Sequence, residues 1–557
     1  MKFELNQLIA SCLFITSLTA NEIPPAEQPL NIMLSSTVGG RSHIKYLMEV
    51  SKPLRDRGHT ITYAAPKGNH KFNDPYGYNI YNLGESIVDS QKSMQETDID
   101  DILRKGIDFM PSLFDKVIDL NYEFYFTKYE KLFTTEKIDL IVCDFFAGPC
   151  HDAARKHSIP LMVGFQGLGL GVGEAPYITN SMDNSPTTTE NLSFLQRFKA
   201  SVIDQIVFIY KFMPLSRIAN EKRKKYGVPA NNNPWGDFDR VMKIDNTYLG
   251  IDDSRPIDSS LKLIGPIIDT DIPELDSELK AFLDEHRTMY MAFGSHTALN
   301  NRLLTALLEA AQMSIDNGSI DGVLWGLANT DSEKFPKSYT VNGVTYTTSD
   351  ILNGLHPKIK ILKWAPQISI LNHPNTKLFL SHGGLESLHE AVNFGTPILV
   401  MPGFGDQPRN SRLVKNRGIG DFVTTLTTNS ADLFSKIKEL TRPDNAILQS
   451  KVKHLQSINK FNNGKRLENA LFIEHYANSA KICRQYQTPK AFEIPCELEP
   501  YMQADTRMSY FAAYKIDILL ALASIGFIFI AVTLVGVFKI VKIVLSKSLV
   551  GKKLKDE

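Results

Sequence analysis

The sequence predicts an α/β protein made of two halves that face a cleft, each half carrying a parallel sheet. Three observations lead there. A βαβ unit stands near the start, at residues 30–64. A second series of strand and helix segments begins near Thr288. Between them, residues 252–279 are rich in Pro, Asp and Ser, as a linker would be.

The elements follow in order. Residues 30–34 are an apolar strand, and a loop of small residues leads into a helix over 43–57 with apolar positions at Ile44, Leu47, Met48 and Leu54. Gly58 stands where a helix C-terminus needs left-handed backbone. Residues 60–64 form the next strand, and a strand–helix–strand order of this kind implies parallel pairing. Residues 102–133 read as helical and aromatic-rich, 139–143 as a buried strand ending at Asp144, 151–156 as a helix and 160–163 as a strand. The glycine-rich 167–173 reads as a loop and 194–213 as a helix with mixed apolar faces, suited to a pocket for an apolar ligand. In the second half, strands are expected at 289–293, 323–327, 359–362, 377–380 and 397–401, and helices at 299–317, 385–394 and 406–416, with 438–476 largely helical. In such sheets, sites lie beyond the carboxyl ends of the strands.

With 557 residues the chain is too long for one ordinary core. Hydrophobic residues make up 43%, which fits packed domains, and the formal net charge of +0 points away from nucleic acid. Residues 1–20 read as a signal peptide: Lys2, an apolar run at 8–18, then Ser17, Thr19 and Ala20. Residues 518–538 are apolar, uncharged through 537 and long enough to span a bilayer, and the 539–557 tail is basic. Because Lys and Arg stay cytosolic, the bulk of the chain is expected in the lumen, as a single-pass type I protein. Four cysteines remain after the signal, and Cys483 and Cys496, expected in an irregular segment, are the better candidate disulfide pair. Asn191 and Asn317 begin glycosylation sequons.

The chemistry concentrates in residues 364–407. An apolar strand ends in Ser381-His382-Gly383-Gly384 and a helix follows, so free backbone N–H groups and a positive helix end point at one spot that suits an anion. His382 and Ser295, each at a strand end, can donate hydrogen bonds to an oxyanion. Glu390 can accept from paired hydroxyls such as a ribose, and Asp406 beside Gln407 suits the hydroxyls of a sugar. Trp364 offers a flat face to a base. In the first half, His43 opens a helix and Asp144 closes a strand; if they meet, they form a general base held by a carboxylate. No G-x-S-x-G, P-loop or G-x-G-x-x-G occurs. The pairs Asp98/Asp100, Asp237/Asp239 and Asp269/Asp271 could hold a divalent metal, but they fall in polar stretches and read as solvated loops.

Trp364-Ala365-Pro366-Gln367, His382-Gly383-Gly384, Glu390, Gly395-Thr396-Pro397 and Asp406-Gln407, in that order and spacing, resemble the signature of membrane-bound UDP-glycosyltransferases of the UDP-glucuronosyl and UDP-glucosyltransferase kind. The resemblance covers nearly the whole chain. It implies a GT-B fold of two Rossmann-like domains: residues 21–255 for the acceptor, a linker at 256–285, 286–480 for the UDP-sugar, a membrane-proximal segment at 481–517, a span at 518–538 and a cytosolic tail at 539–557. By resemblance Trp364 stacks on uracil near Ala365 and Gln367; Ser295, His382, Gly384 and Ser387 hold the diphosphate; Glu390 binds ribose; Asp406 and Gln407 bind the sugar. His43 falls on the family's catalytic base and Asp144 on its partner.

The implied reaction is inverting transfer of glucose or glucuronic acid to a hydroxyl of a small lipophilic acceptor, with no metal and no cofactor beyond the UDP-sugar co-substrate. Lys553 and Lys555 in the tail resemble an endoplasmic-reticulum retrieval signal. A homo-oligomer is compatible with the sequence. One departure stands out: Glu386 occupies a position where the family often has Asn, and a carboxylate there would repel a diphosphate. Two other classes compete: a UDP-sugar epimerase, disfavoured by the signal and span, and a lapsed enzyme that only binds nucleotide, disfavoured by His43 and Asp144.

Overall fold

The computed structural model describes residues 24–553 apart from 38–39, 86–96, 170–174, 180–185, 270, 295–296, 298, 329 and 331. The expected signal peptide therefore lies outside the described residues, as does Ser295. Residues up to Pro500 form one compact unit, and Tyr501–Glu557 form a second.

Two parallel sheets build the larger unit. The first takes β1 (Asn31–Ser35), β2 (Thr60–Ala65), β3 (Asn79–Asn82), β4 (Leu140–Asp144), β5 (Leu161–Phe165), β6 (Met242–Asp245) and β7 (Leu261–Leu263) in the order β3-β2-β1-β4-β5-β6-β7. Every residue of β4 and β5 is buried. Strands covered by helices on both faces read as unbroken apolar runs, which is why the sequence shows them plainly. The register sets Ile32 of β1 beside Leu140 of β4 and Ser35 beside Cys143. Strand order reverses between these two strands, so their carboxyl ends open a crevice.

The second sheet repeats the scheme. It takes β8 (Thr288–Ala292), β9 (Gly322–Gly326), β12 (Ile359–Leu362), β13 (Thr376–Ser381), β14 (Ile398–Val400) and β15 (Gly420–Phe422) in the order β12-β9-β8-β13-β14-β15. A separate antiparallel hairpin, β10 (Ser338–Val341) with β11 (Val344–Thr347), lies between β9 and β12 in sequence. Here the reversal falls between β8 and β13.

Several expectations change in detail. The 256–285 stretch is not a bare linker: β7 extends the first sheet, and Ser277–Glu285 is a helix whose Leu279, Phe282 and Leu283 join the core of the second half. Polar composition misleads here because the charges are paired internally. Asp252 is 1% exposed and accepts from Arg255 at 3.1 Å and from Arg409 of the second half at 2.5 Å. The Asp pairs are likewise not simply solvated. Asp98 caps the Ile99–Lys105 helix, Asp100 pairs with Arg302 at 2.7 Å, Asp237 with Arg155 at 3.0 Å, and Asp269 and Asp271 both with Lys52.

The 438–476 stretch resolves into parts of three helices, Ser430–Leu440, Ala446–Asn463 and Arg466–Tyr486. The last crosses back to the first half, where Glu474 receives Arg57 and Arg466 reaches Glu49 at 2.9 Å. It runs far enough to make Cys483 helical rather than irregular, and Cys483 bonds Cys496. A second disulfide, Cys143–Cys150, ties the end of β4 to the Gly148–Lys156 helix. Residues 194–225 form one helical run with a π-turn at 199–203, and it leaves Phe194, Leu195, Ile206, Ile209 and Tyr210 exposed.

In the smaller unit, Ile516–Lys553 is a helix. Its Ile516–Leu545 part has a mean hydropathy of 2.8, is not buried, and is long and apolar enough to cross a membrane. The helix continues past the expected end of the apolar segment at 538, through Lys539 and Lys542.

Candidate active site

The first crevice brings His43 and Asp144 together across 101 residues of sequence. β1 delivers the chain to a short loop, and the Ser42–Asp56 helix starts there with His43 in its first turn. Asp144 is the last residue of β4, fully buried. Its Oδ2 lies 3.1 Å from His43 Nδ1, while its Oδ1 accepts from the Phe146 backbone N–H at 3.1 Å. A carboxylate at Nδ1 holds the proton on that nitrogen and leaves Nε2 as the acceptor. Burial pulls the imidazole pKa down, but Asp144 above all, with help from Asp406 and Glu386, more than offsets it and sets it above the ordinary histidine value.

Aromatic rings wall this histidine. Phe146 lies 5.3 Å from the His43 ring and Phe145 6.3 Å, centre to centre. Phe146 leads on to Trp235 at 6.2 Å, and Trp235 to Phe212 at 6.5 Å. Composition hinted at an apolar pocket but did not name these residues.

The second crevice is made of backbone. β13 ends at Ser381, whose Oγ accepts from the Gly383 N–H at 3.2 Å. Gly383 has φ +85°, and a Cβ there would sit 2.6 Å from Val400 Cγ1. Gly384 then caps the Leu385–Phe394 helix with no side-chain hydrogen bond of its own. The first-turn N–H groups therefore present a positive end without a side-chain cap. The His382 ring lies against Gly294 and Gly384: a Cβ on either would fall 2.8 or 2.6 Å from Nε2.

Around this turn stand the other expected residues. Trp364 is 69% exposed, so its indole is not core and presents a face to solvent. Gln367 opens the Gln367–Asn372 helix, and its Nε2 donates to Glu390 Oε2 at 2.6 Å and to Ser387 Oγ at 3.2 Å. Ala365 packs close enough to Gly326 that a Cβ there would lie 3.0 Å away. Asp406 precedes the Gln407–Arg417 helix without a side-chain capping bond and accepts from Asn410 at 2.7 Å, and Asn410 also donates to the Gly383 carbonyl. Gln407 is buried, and its side-chain oxygen accepts from the Gly403 and Phe404 amides at 2.8 and 3.2 Å. It shapes the loop before its helix.

One participant was not foreseen. Lys45, two residues past His43, reaches across to the second half and meets Glu386 at 2.7 Å and Glu390 at 2.9 Å. A signal existed: among Ile44, Tyr46, Leu47 and Met48, all buried, a lysine breaks the apolar run.

A histidine held by a carboxylate in one crevice and a backbone turn suited to an anion in the other fit group transfer from a phosphorylated donor. Known proteins agree. Residues 340–481 match the family described as UDP-glucoronosyl and UDP-glucosyl transferase. A UDP-glycosyltransferase of Talaromyces amestolkiae is 26% identical over 525 residues, 91% of this chain and 96% of the relative. Among solved structures, the kitacinnamycin glycosyltransferase has a TM-score of 0.56 at 17% identity, covering 80% of this chain and 99% of that one. A Polygonum tinctorium UDP-glucosyltransferase capable of glucosylating indoxyl has a TM-score of 0.51 at 17% identity, covering 81% and 99%. At that identity the structural likeness shows the fold, which is GT-B. By these likenesses, which run over most of its length, the chain is similar to the UDP-glycosyltransferases and is a glycosyltransferase enzyme with a UDP-sugar as its donor.

Proposed function

We propose that this enzyme moves glucose or glucuronic acid from its UDP-sugar to a hydroxyl of a small lipophilic acceptor such as a sterol, lipid or phenol, with inversion at the anomeric carbon. The observation that carries this reading is the His43–Asp144 pair, set among Phe145 and Phe146 at the crevice of the first sheet. His43 Nε2 takes the proton of the acceptor hydroxyl. The oxygen attacks the anomeric carbon from the face opposite UDP, the bond to the phosphate oxygen breaks, and UDP leaves. Negative charge then grows on the diphosphate, where the N–H groups after Gly384 and the His382 ring receive it. Trp364 stacks on uracil, Glu390 accepts from the ribose, and Ser295, Ser387 and Asp406 complete the donor site. The aromatic wall favours an apolar acceptor.

The reaction needs no metal in this reading, because backbone amides take the role a cation would play. The engagement of Asp98, Asp100, Asp237, Asp269 and Asp271 with protein partners supports it. Two disulfides favour an oxidising compartment, and the apolar Ile516–Leu545 helix with its basic sequel favours a single span. We therefore place the catalytic domains in the lumen of the endoplasmic reticulum.

The test is UDP release by full-length protein in detergent, given UDP-glucose or UDP-glucuronate with a panel of phenols and sterols. Acceptor-dependent release supports transfer. Tight UDP binding with no release from any pair would mark the chain as a lapsed, nucleotide-binding protein.

A further inference from the structure

Glu386 is the residue that fits the donor site worst. It sits in the first turn of the helix whose N-terminus forms the anion cradle, one turn before Glu390. Two carboxylates at this spacing repel each other, and both oppose a diphosphate. The structure supplies a counter-charge from the other half of the molecule. Lys45 is 6% exposed, and its Nζ lies 2.7 Å from Glu386 and 2.9 Å from Glu390. Gln367 holds the remaining Glu390 oxygen at 2.6 Å. A buried ammonium is stable only when paired, and here both partners come from a helix far along the chain, Glu390 lying 345 residues away.

We propose that Lys45 is a positioning residue that cancels the Glu386 charge beside the diphosphate of the UDP-sugar and holds Glu390 ready for the ribose. With Lys45 in place the cluster carries one net negative charge instead of two. Because Lys45 and His43 share the same helix start, the ion pairs also fasten the general base to the donor-binding helix. Burial alone would lower the Lys45 pKa; Glu386 first and then Glu390 outweigh it and raise it, so the side chain stays charged. The proposal rests on the donor-site reading above.

The experiment measures UDP affinity by calorimetry, together with donor KM and kcat, on full-length protein in detergent. Lys45→Met leaves Glu386 unpaired and should weaken UDP binding on the order of 10- to 100-fold, raising donor KM more than it lowers kcat. Lys45→Arg should stay near wild type. The decisive variant is the double Lys45→Met/Glu386→Gln, which removes both charges and should restore affinity to within about threefold of wild type. A double variant as weak as Lys45→Met would overturn the proposal, since cancelling the Glu386 charge would then not be what Lys45 contributes to UDP binding. If Lys45→Met does not fold, Glu386→Gln alone decides: UDP affinity at or above wild type supports compensation, and a tenfold loss contradicts it by making Glu386 a ligand. Trp364→Ala separates the two levels. If it weakens UDP binding while Lys45→Met does not, only the Lys45 proposal fails; if neither matters, the donor site itself is misplaced.

Discussion

The two sheets reverse their strand order at equivalent places and put opposite kinds of chemistry there. Between β1 and β4 the first sheet offers side chains: a histidine, a buried carboxylate and an aromatic wall. Between β8 and β13 the second offers backbone: Gly294, Gly383, Gly384 and a helix end without a side-chain cap. The difference follows from the tasks proposed for them. Moving a proton needs a group whose pKa the surroundings can set. Holding a diphosphate needs several N–H donors at fixed distance, which a turn supplies without any titration.

That division yields an ordered set of expectations. The largest effect belongs to His43→Ala, which should lower kcat by roughly 10²- to 10⁴-fold while leaving UDP affinity unchanged, seen by comparing turnover with calorimetry. If UDP affinity falls as well, the two crevices are not separable. Next comes Gly384→Ala. The added Cβ collides with the His382 ring at 2.6 Å, and displacing the cradle should weaken UDP binding on the order of 10²-fold. Wild-type affinity in that variant would remove the glycine turn from the donor site. Smaller again is Trp364→Ala, where losing one stacked base costs about tenfold in UDP affinity. Its thermal midpoint should not move, because the indole is mostly exposed.

Much of this was readable in the sequence, for a physical reason. Central parallel strands such as β4 and β5 are buried on both faces and announce themselves as apolar runs. The residues proposed to bind the donor, from Trp364 to Asp406, are close in the chain, so their spacing carries information. Contacts made across long separations left no such trace. The sequence did not show that His43 meets Asp144, and only the family resemblance paired them. Lys45 with Glu386 and Glu390 went unseen for the same reason, as did the Asp252–Arg409 pair that made a buried junction look like a polar linker. The sequence favours Cys483–Cys496, expected in an irregular segment, and gives no sign of Cys143–Cys150, which spans a single strand-to-helix turn. Gln407 shows a different limit: the motif gives its place in the chain but not that its side-chain oxygen accepts from the amides of its own loop.

The most direct test of the division is the pH dependence of kcat/KM for wild type and Asp144→Asn. His43 accepts a proton only when neutral, and its neighbours raise its pKa. The rate should therefore climb with pH through a limb lying above about 6.5. Asp144→Asn removes the charge that does most of the raising and leaves burial, which lowers, so the limb should move to lower pH as the maximal rate falls. A wild-type profile without an acid limb, or a limb that stays put in Asp144→Asn, would contradict the assignment of His43 as the base held by Asp144.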